Sequence, residues 1–197
     1  MRSAKHLAIL KVMKTPAPHQ FSAEDYHRLA ELGFLAPDAR VELLDGEIHD
    51  MSPIGPFHGG LVKRLIRLFS SCAKGRWILS VHDAVRLDKY SEPQPDLVLL
   101  KPAPDDYTSH HPAPDDVLLL IEVADSSLEF DRSKKLPLYA RAAVPEVWII
   151  NLQELEIEIH REPHLTSYAS CFVCRPGEKV APQKFPDVKI DVAELLK

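Results

Sequence analysis

Residues 117–121 read VLLLI, and Glu122 follows them before Val123 and Ala124 close the run. Asp116 on one side and Asp125-Ser126-Ser127 on the other bound it at strand length, so it reads as a buried strand. Glu122 makes the run informative. Burying a carboxylate without a partner costs on the order of several kcal/mol. Either another side chain pairs with Glu122 or it holds a cation.

The rest of the chain supplies neighbours for such a strand. Ser22, with Asp25 three residues on, predicts the N-cap of a short helix through YHRLAELG, with Leu29 and Leu32 on its apolar face and Gly33 as its stop. RVELLDGEIHDM predicts a hairpin, because two alternating runs flank Asp45-Gly46, a pair suited to a tight primed turn. After SPIGP, Leu61, Leu65, Leu68 and Phe69 predict a second helix, with Lys63, Arg64 and Arg67 largely off that face.

RWILSVHDAVRL reads as one long strand, PDLVLL as a buried strand opening at Pro95-Asp96, and EVWIINL as another strand. SLEFDRSKKLPLYARAA predicts a helix with Pro137 inside it, hence a kink or a late start. ELEIEIHRE alternates as an edge or hairpin strand, and further short strands complete the chain. This order predicts an α/β or α+β fold: a mixed β-sheet flanked by helices, with an N-terminal hairpin and extra C-terminal strands. At 197 residues, 45% hydrophobic, the chain suffices for one domain with a substantial core. The expected organisation is a flexible lead-in over 1–18 and a single domain over 19–197.

A net charge of −5 excludes a uniformly basic surface for nucleic acid and leaves room for a local basic groove. Three cysteines do not make a disulfide framework and fit a reducing cytoplasm. The apolar stretch Leu7 to Leu10 is cut by Lys11 and Lys14, too short for a signal peptide, and no segment approaches the roughly 18 to 20 apolar residues of a membrane span. A soluble cytoplasmic domain with no membrane partner is expected.

Asp96 opens one apolar strand and Glu122 lies near the end of the next. If the two strands are adjacent and antiparallel, both carboxylates reach the same edge of the sheet. Such a pair suits Mg²⁺, which takes one or two protein carboxylates and often bridges to phosphate. From spacing alone, two strand-end acids in water or capping a turn remain the favoured alternative.

The motifs go further. PD followed by IEVA resembles the PD-(D/E)xK nuclease superfamily, although position 124 is Ala where the simple form has lysine. RVELLDGEIHDMSP with a following His, then PDLVLL and IEVADSSLEFDRSKKLPLYARAAVPEVWIINL, resembles a large bacterial family of restriction-endonuclease-like proteins within it, over roughly residues 20 to 165. In that family the lysine moves to the next helix in a DR..K...Y pattern, here Asp131-Arg132, Lys135 and Tyr139. Lys134 is one position off.

The resemblance implies a Mg²⁺-dependent DNA endonuclease, with Mn²⁺ able to substitute. Asp96 and Glu122 would bind the ion, and Lys135 would orient water or bind a phosphoryl oxygen. Glu42, in the matching hairpin, is either a third carboxylate of the site or a strand residue facing water. His58 either contacts a phosphate or caps its helix. Asp131 is either catalytic or part of a salt bridge within its helix. Lys63 and Arg67 are candidates for backbone phosphates. A homodimer is implied by the resemblance alone. The alternative is an inactive nuclease-fold module that binds nucleic acid or a protein. Cys171 and Cys174 have zinc-like spacing without a second ligand pair, and His110-His111 read as solvent-exposed loop.

Overall fold

The computed structural model describes residues 18–197. Nearly all of the expected lead-in over 1–18 lies outside the described residues.

Helix α1, Ala23–Glu31, starts where Ser22 predicts. The Ser22 hydroxyl accepts from the Asp25 N–H at 3.2 Å, and the Asp25 carboxylate accepts from the Ser22 N–H at 2.9 Å, which satisfies two otherwise orphaned donors. Its buried face is Ala23 and Tyr26, not Leu29 and Leu32. Tyr26 turns inward to donate its hydroxyl to the Val41 carbonyl at 2.9 Å, whereas Leu32 lies past the last turn and is exposed.

The hairpin pairs β1, Val41–Leu44, with β2, Glu47–Asp50, so that Leu44 faces Glu47 across a two-residue turn. Asp45 and Gly46 both have positive φ, +50° and +79°, as a primed turn requires. Glycine is needed at 46 for a second reason: a Cβ there would lie 2.9 Å from the Gln20 Cα.

The central sheet has six strands in the order β3-β4-β5-β6-β7-β8, covering Ile78–Ser80, Leu97–Leu100, Val117–Ala124, Glu146–Asn151, Glu156–His164 and Ser167–Cys174. Neighbours are antiparallel except β5 and β6, which run parallel. That pair needs a crossover, and the helical segment 128–141 supplies it.

Alternation along β5 sorts the two faces of the sheet. Leu119, Ile121 and Val123 pack with Leu61, Leu65 and Phe69 of α2, Pro56–Cys72. Leu120 and Ala124 pack with Leu138 and Tyr139 of the crossover. Glu122 therefore belongs to the crossover face.

Three expectations are corrected. The long strand over RWILSVHDAVRL is only β3, because Ser80 donates its hydroxyl to Asp83 at 2.8 Å and His82 takes φ +55°, which turns the chain out of the ladder. The chain end is not all strand. After the two-residue strands β9, Lys179–Val180, and β10, Ile190–Asp191, it forms a helix, α5, Val192–Leu196, with the Asp191 carboxylate accepting from the Ala193 and Glu194 N–H groups. On α2 the buried face carries Val62, while Leu68 is only partly buried.

The crossover is helical on both sides of Pro137. Leu128–Phe130, α3, leads into a π-helical stretch, Asp131–Lys135, and then α4, Leu136–Arg141. The Leu136 N–H reaches back five residues to the Asp131 carbonyl. Proline has no N–H to give, and the wider turn ahead of it takes up the mismatch that would otherwise bend the helix.

Candidate active site

Asp96 precedes β4, and Glu122 sits in β5 one residue beyond the Leu97–Ile121 pair. Antiparallel pairing thus brings the two acids to the same end of two adjacent strands, as their positions in the sequence imply. The Val123 N–H donates to Asp96 Oδ2 at 2.8 Å, which fixes the Asp96 carboxylate beside β5. Two imidazoles face its other oxygen: His58 Nε2 lies 2.8 Å and His82 Nε2 3.2 Å from Asp96 Oδ1. His58 does not cap α2, whose N-cap is Gly55. His82 carried no sequence signal and is delivered by the turn that ends β3.

Glu122 is 3% exposed, and its partners come from the crossover helix. Tyr139 donates its hydroxyl to Glu122 Oε1 at 2.5 Å, and Lys135 Nζ lies 3.2 Å from the same oxygen. Lys135 also reaches Glu42 Oε2 at 3.0 Å, and the Gln94 N–H donates to that oxygen at 3.2 Å. Glu42 is buried, so it does not face water. Asp131 is buried too and accepts from the Ser127 hydroxyl at 2.8 Å, in place of a salt bridge within its helix. Its neighbour Arg132 turns to Glu158 on β7, and Lys134 is exposed.

One cleft of 240 Å³ is lined by Glu42, His58, Asp96, Glu122, Asp131 and Lys135, with Arg40 and Asp50 at its wall. Lys63 and Arg67 do not line it and stand exposed on α2. Cys171 and Cys174 are free thiols on β8, exposed and buried respectively.

The electrostatics of the cleft follow from four carboxylates around one amine. Burial raises the Glu122 carboxyl to about 8, against the attraction of Lys135 and with the help of Asp131, Asp96 and Glu42. Burial likewise raises Asp131 to about 6. Burial disfavours the Lys135 ammonium, but Glu122, Glu42 and Asp131 outweigh it and hold the amine protonated well above its ordinary range. Asp96 goes the other way. Burial works against its ionisation, and the bonds from His58, His82 and Val123 overcome it and hold the carboxylate below its ordinary value. Burial and the surrounding acids push the Tyr139 phenol up, so it stays a donor.

The donor chemistry fits a divalent cation. Asp96, His58 and His82 offer one ligand atom each within 4.8 Å of one another. Both hydrogen bonds to Glu122 fall on Oε1, and among the described residues no hydrogen bond engages Oε2. The raised Glu122 and Asp131 carboxyls mark an excess of negative charge that a divalent cation would offset.

A family profile described as "Uma2: Putative restriction endonuclease" matches residues 23–193. The chain belongs to the Uma2 family. Among solved structures, the chain is similar to the crystal structure of a putative nuclease from Anabaena variabilis, at 14% identity and a TM-score of 0.66, over 85% of this chain and 96% of that one. At that identity the likeness speaks to the fold, which is the restriction-endonuclease-like mixed sheet expected from the sequence. No curated protein matches the chain. Among the described residues of this Uma2 protein, no helix is long and apolar enough to cross a membrane.

Proposed function

We propose that the protein is a divalent-metal-dependent endonuclease that hydrolyses DNA phosphodiester bonds in this cleft. The observation that carries the reading is the charge imbalance. Glu42, Asp96, Glu122 and Asp131 line one cleft around Lys135, with Arg40 at its wall, and burial raises the Glu122 and Asp131 carboxyls above the ordinary carboxylate range. That is the condition of a buried cation site.

Asp96 and Glu122 would hold Mg²⁺ or Mn²⁺, with His58 and His82 positioned to hold Asp96 or to ligate beside it. When bound, the cation supplies Lewis-acid charge and a water of lowered pKa. Lys135, held protonated, cannot serve as a base. It donates to a water or to a phosphoryl oxygen and offsets charge as the phosphorus becomes five-coordinate. Glu42 fixes the Lys135 amine from the hairpin side, and Tyr139 fixes Glu122 from the helix side. His58, bonded to Asp96 in the lining of the cleft, is also placed to contact a phosphate oxygen. A double-strand cut would need two such sites, which a homodimer would supply.

The test is cleavage of supercoiled plasmid with Mg²⁺ or Mn²⁺, comparing wild type, Glu122→Gln and Lys135→Met at equal concentration. Nicking by the wild type, lost in both variants, supports the reading. Equal cleavage by all three points to a contaminant. No cleavage by any of them favours the nuclease-fold module that binds without turnover.

A further inference from the structure

A second constellation lies outside this cleft. His27 on α1, Glu92 in the segment bridged to β1, and His111 in the proline- and aspartate-rich loop offer one ligand atom each within 4.8 Å of one another. We infer that these three side chains form a transition-metal site of the Zn²⁺ class, an ion clip that ties α1 and the 101–116 loop to the hairpin.

The geometry has three parts. His27 Nε2 lies 2.7 Å and His111 Nε2 3.8 Å from one and the same oxygen, Glu92 Oε1. The two rings stack with centroids 5.6 Å apart and planes 24° from parallel, so both nitrogens approach from one side. His111 makes no hydrogen bond through either ring nitrogen among the described residues, and Glu92 Oε1, 3.8 Å from its Nε2, is already engaged by His27. Two imidazoles and one carboxylate oxygen converging on a common point make a His₂-carboxylate ligand set.

The carboxylate is prepared for that role. Glu92 is 1% exposed, and its N–H donates to the Leu43 carbonyl at 2.7 Å, so its backbone is part of the hairpin's support. Arg86 Nε binds Glu92 Oε2 at 2.8 Å, which leaves Oε1 as the single presented ligand and supports it from behind. Arg86 does not leave the site cationic, because its Nη1 also bonds Glu24 Oε1 at 2.9 Å. The imidazole edges are about two-fifths exposed, so an ion can enter from solvent and keep a water in its fourth position. Two nitrogens and one oxygen suit Zn²⁺, Co²⁺ or Ni²⁺; Mg²⁺ and Ca²⁺ prefer all-oxygen sets. The site shares its two-nitrogen, one-oxygen composition with His58, His82 and Asp96, but none of its residues lines the cleft, so it is separate in place.

Zn²⁺ binding to the metal-stripped full chain, measured by equilibrium dialysis, tests the clip in wild type, His27→Gln, His111→Ala and Asp96→Asn. The expected result is loss of one equivalent per chain in each of the two histidine variants, with that equivalent kept in Asp96→Asn. In an Asp96→Asn background, Co²⁺ should give intense visible bands that adding His111→Ala removes, and Zn²⁺ should raise the melting temperature of Asp96→Asn and not of the double variant. His111 is an exposed loop residue, so its variant reads binding without a folding defect. The same Zn²⁺ stoichiometry in wild type and His111→Ala, or a wild-type melting temperature that Zn²⁺ leaves unchanged, would overturn the inference.

Discussion

Replacing Glu122 by Gln should make the metal-free protein more stable, and only on the alkaline side. Glu122 has an ordinary value of 4.5 and is raised in the folded chain to about 8. Below the first value it is protonated in both states and contributes nothing. Between the two, the unfolded chain ionises while the folded one does not, so native stability falls as pH rises, and above about 8 the loss is complete. That interval, at about 1.36 kcal/mol for each step of pH, is an upper limit of roughly 4 to 5 kcal/mol. The glutamine carbonyl still accepts from Tyr139 and Lys135, but Lys135 loses one of its compensating charges and keeps Glu42 and Asp131. The net gain expected is about 2 to 3 kcal/mol near pH 8 and under about 1 kcal/mol near pH 5. Urea unfolding with EDTA at the two pH values measures it. Saturating Mn²⁺ should then reverse the order, because only the wild type gains from the ion. A variant less stable than wild type by the same amount at both pH values would refute the reasoning. It would mean that Glu122 is ionised and simply paired with Lys135.

Two further outcomes follow from the same geometry. His82→Ala removes one of the two imidazoles on Asp96 Oδ1 and should weaken Mn²⁺ binding by about tenfold or more while affecting Mg²⁺ less, read by calorimetric titration of both ions. Gly46→Ala combines a positive φ with a Cβ placed against the Gln20 backbone, and should cost about 1 to 3 kcal/mol in thermal unfolding, with plasmid nicking reduced because Glu42 rides on that hairpin.

The parts of the fold that were legible in the sequence are those set by short-range rules. Ser22 with Asp25 marks a helix start because the two side chains satisfy backbone donors three residues away. Asp45-Gly46 marks a hairpin because both residues tolerate positive φ. Asp96 and Glu122 were placed at one end of the sheet by strand length and adjacency. What escaped depends on distant chain. The partner of Glu122 is Tyr139 as much as Lys135, and the phenol's part could not be read from a spacing of seventeen residues. His82 comes to Asp96 through a turn whose cause is a single Ser80–Asp83 bond. His27, Glu92 and His111 look like unrelated surface residues until the fold assembles them. Lys63 and Arg67 show the opposite failure: a basic helix face is easy to see in sequence, but its direction relative to the cleft is not. The short final helix was missed although Asp191 stood in the position of its cap.

The wide turn ahead of Pro137 also sets angular phase. Asp131, Lys135 and Tyr139 follow one another at intervals of four, and all three side chains are buried against the sheet. An unbroken α-helix advances about 100° per residue, so eight residues would carry Tyr139 roughly 80° past Asp131. Absorbing one surplus residue in the π-helical stretch makes those eight count angularly as about seven, which returns Tyr139 to within roughly 20° of Asp131. Lys135 therefore reaches the cleft from a helix that is out of step with itself by one residue. Deleting Ser133, an exposed position within the stretch, would turn the eight steps into seven of a regular helix and so keep the acid within roughly 20° of the phenol without the wide turn.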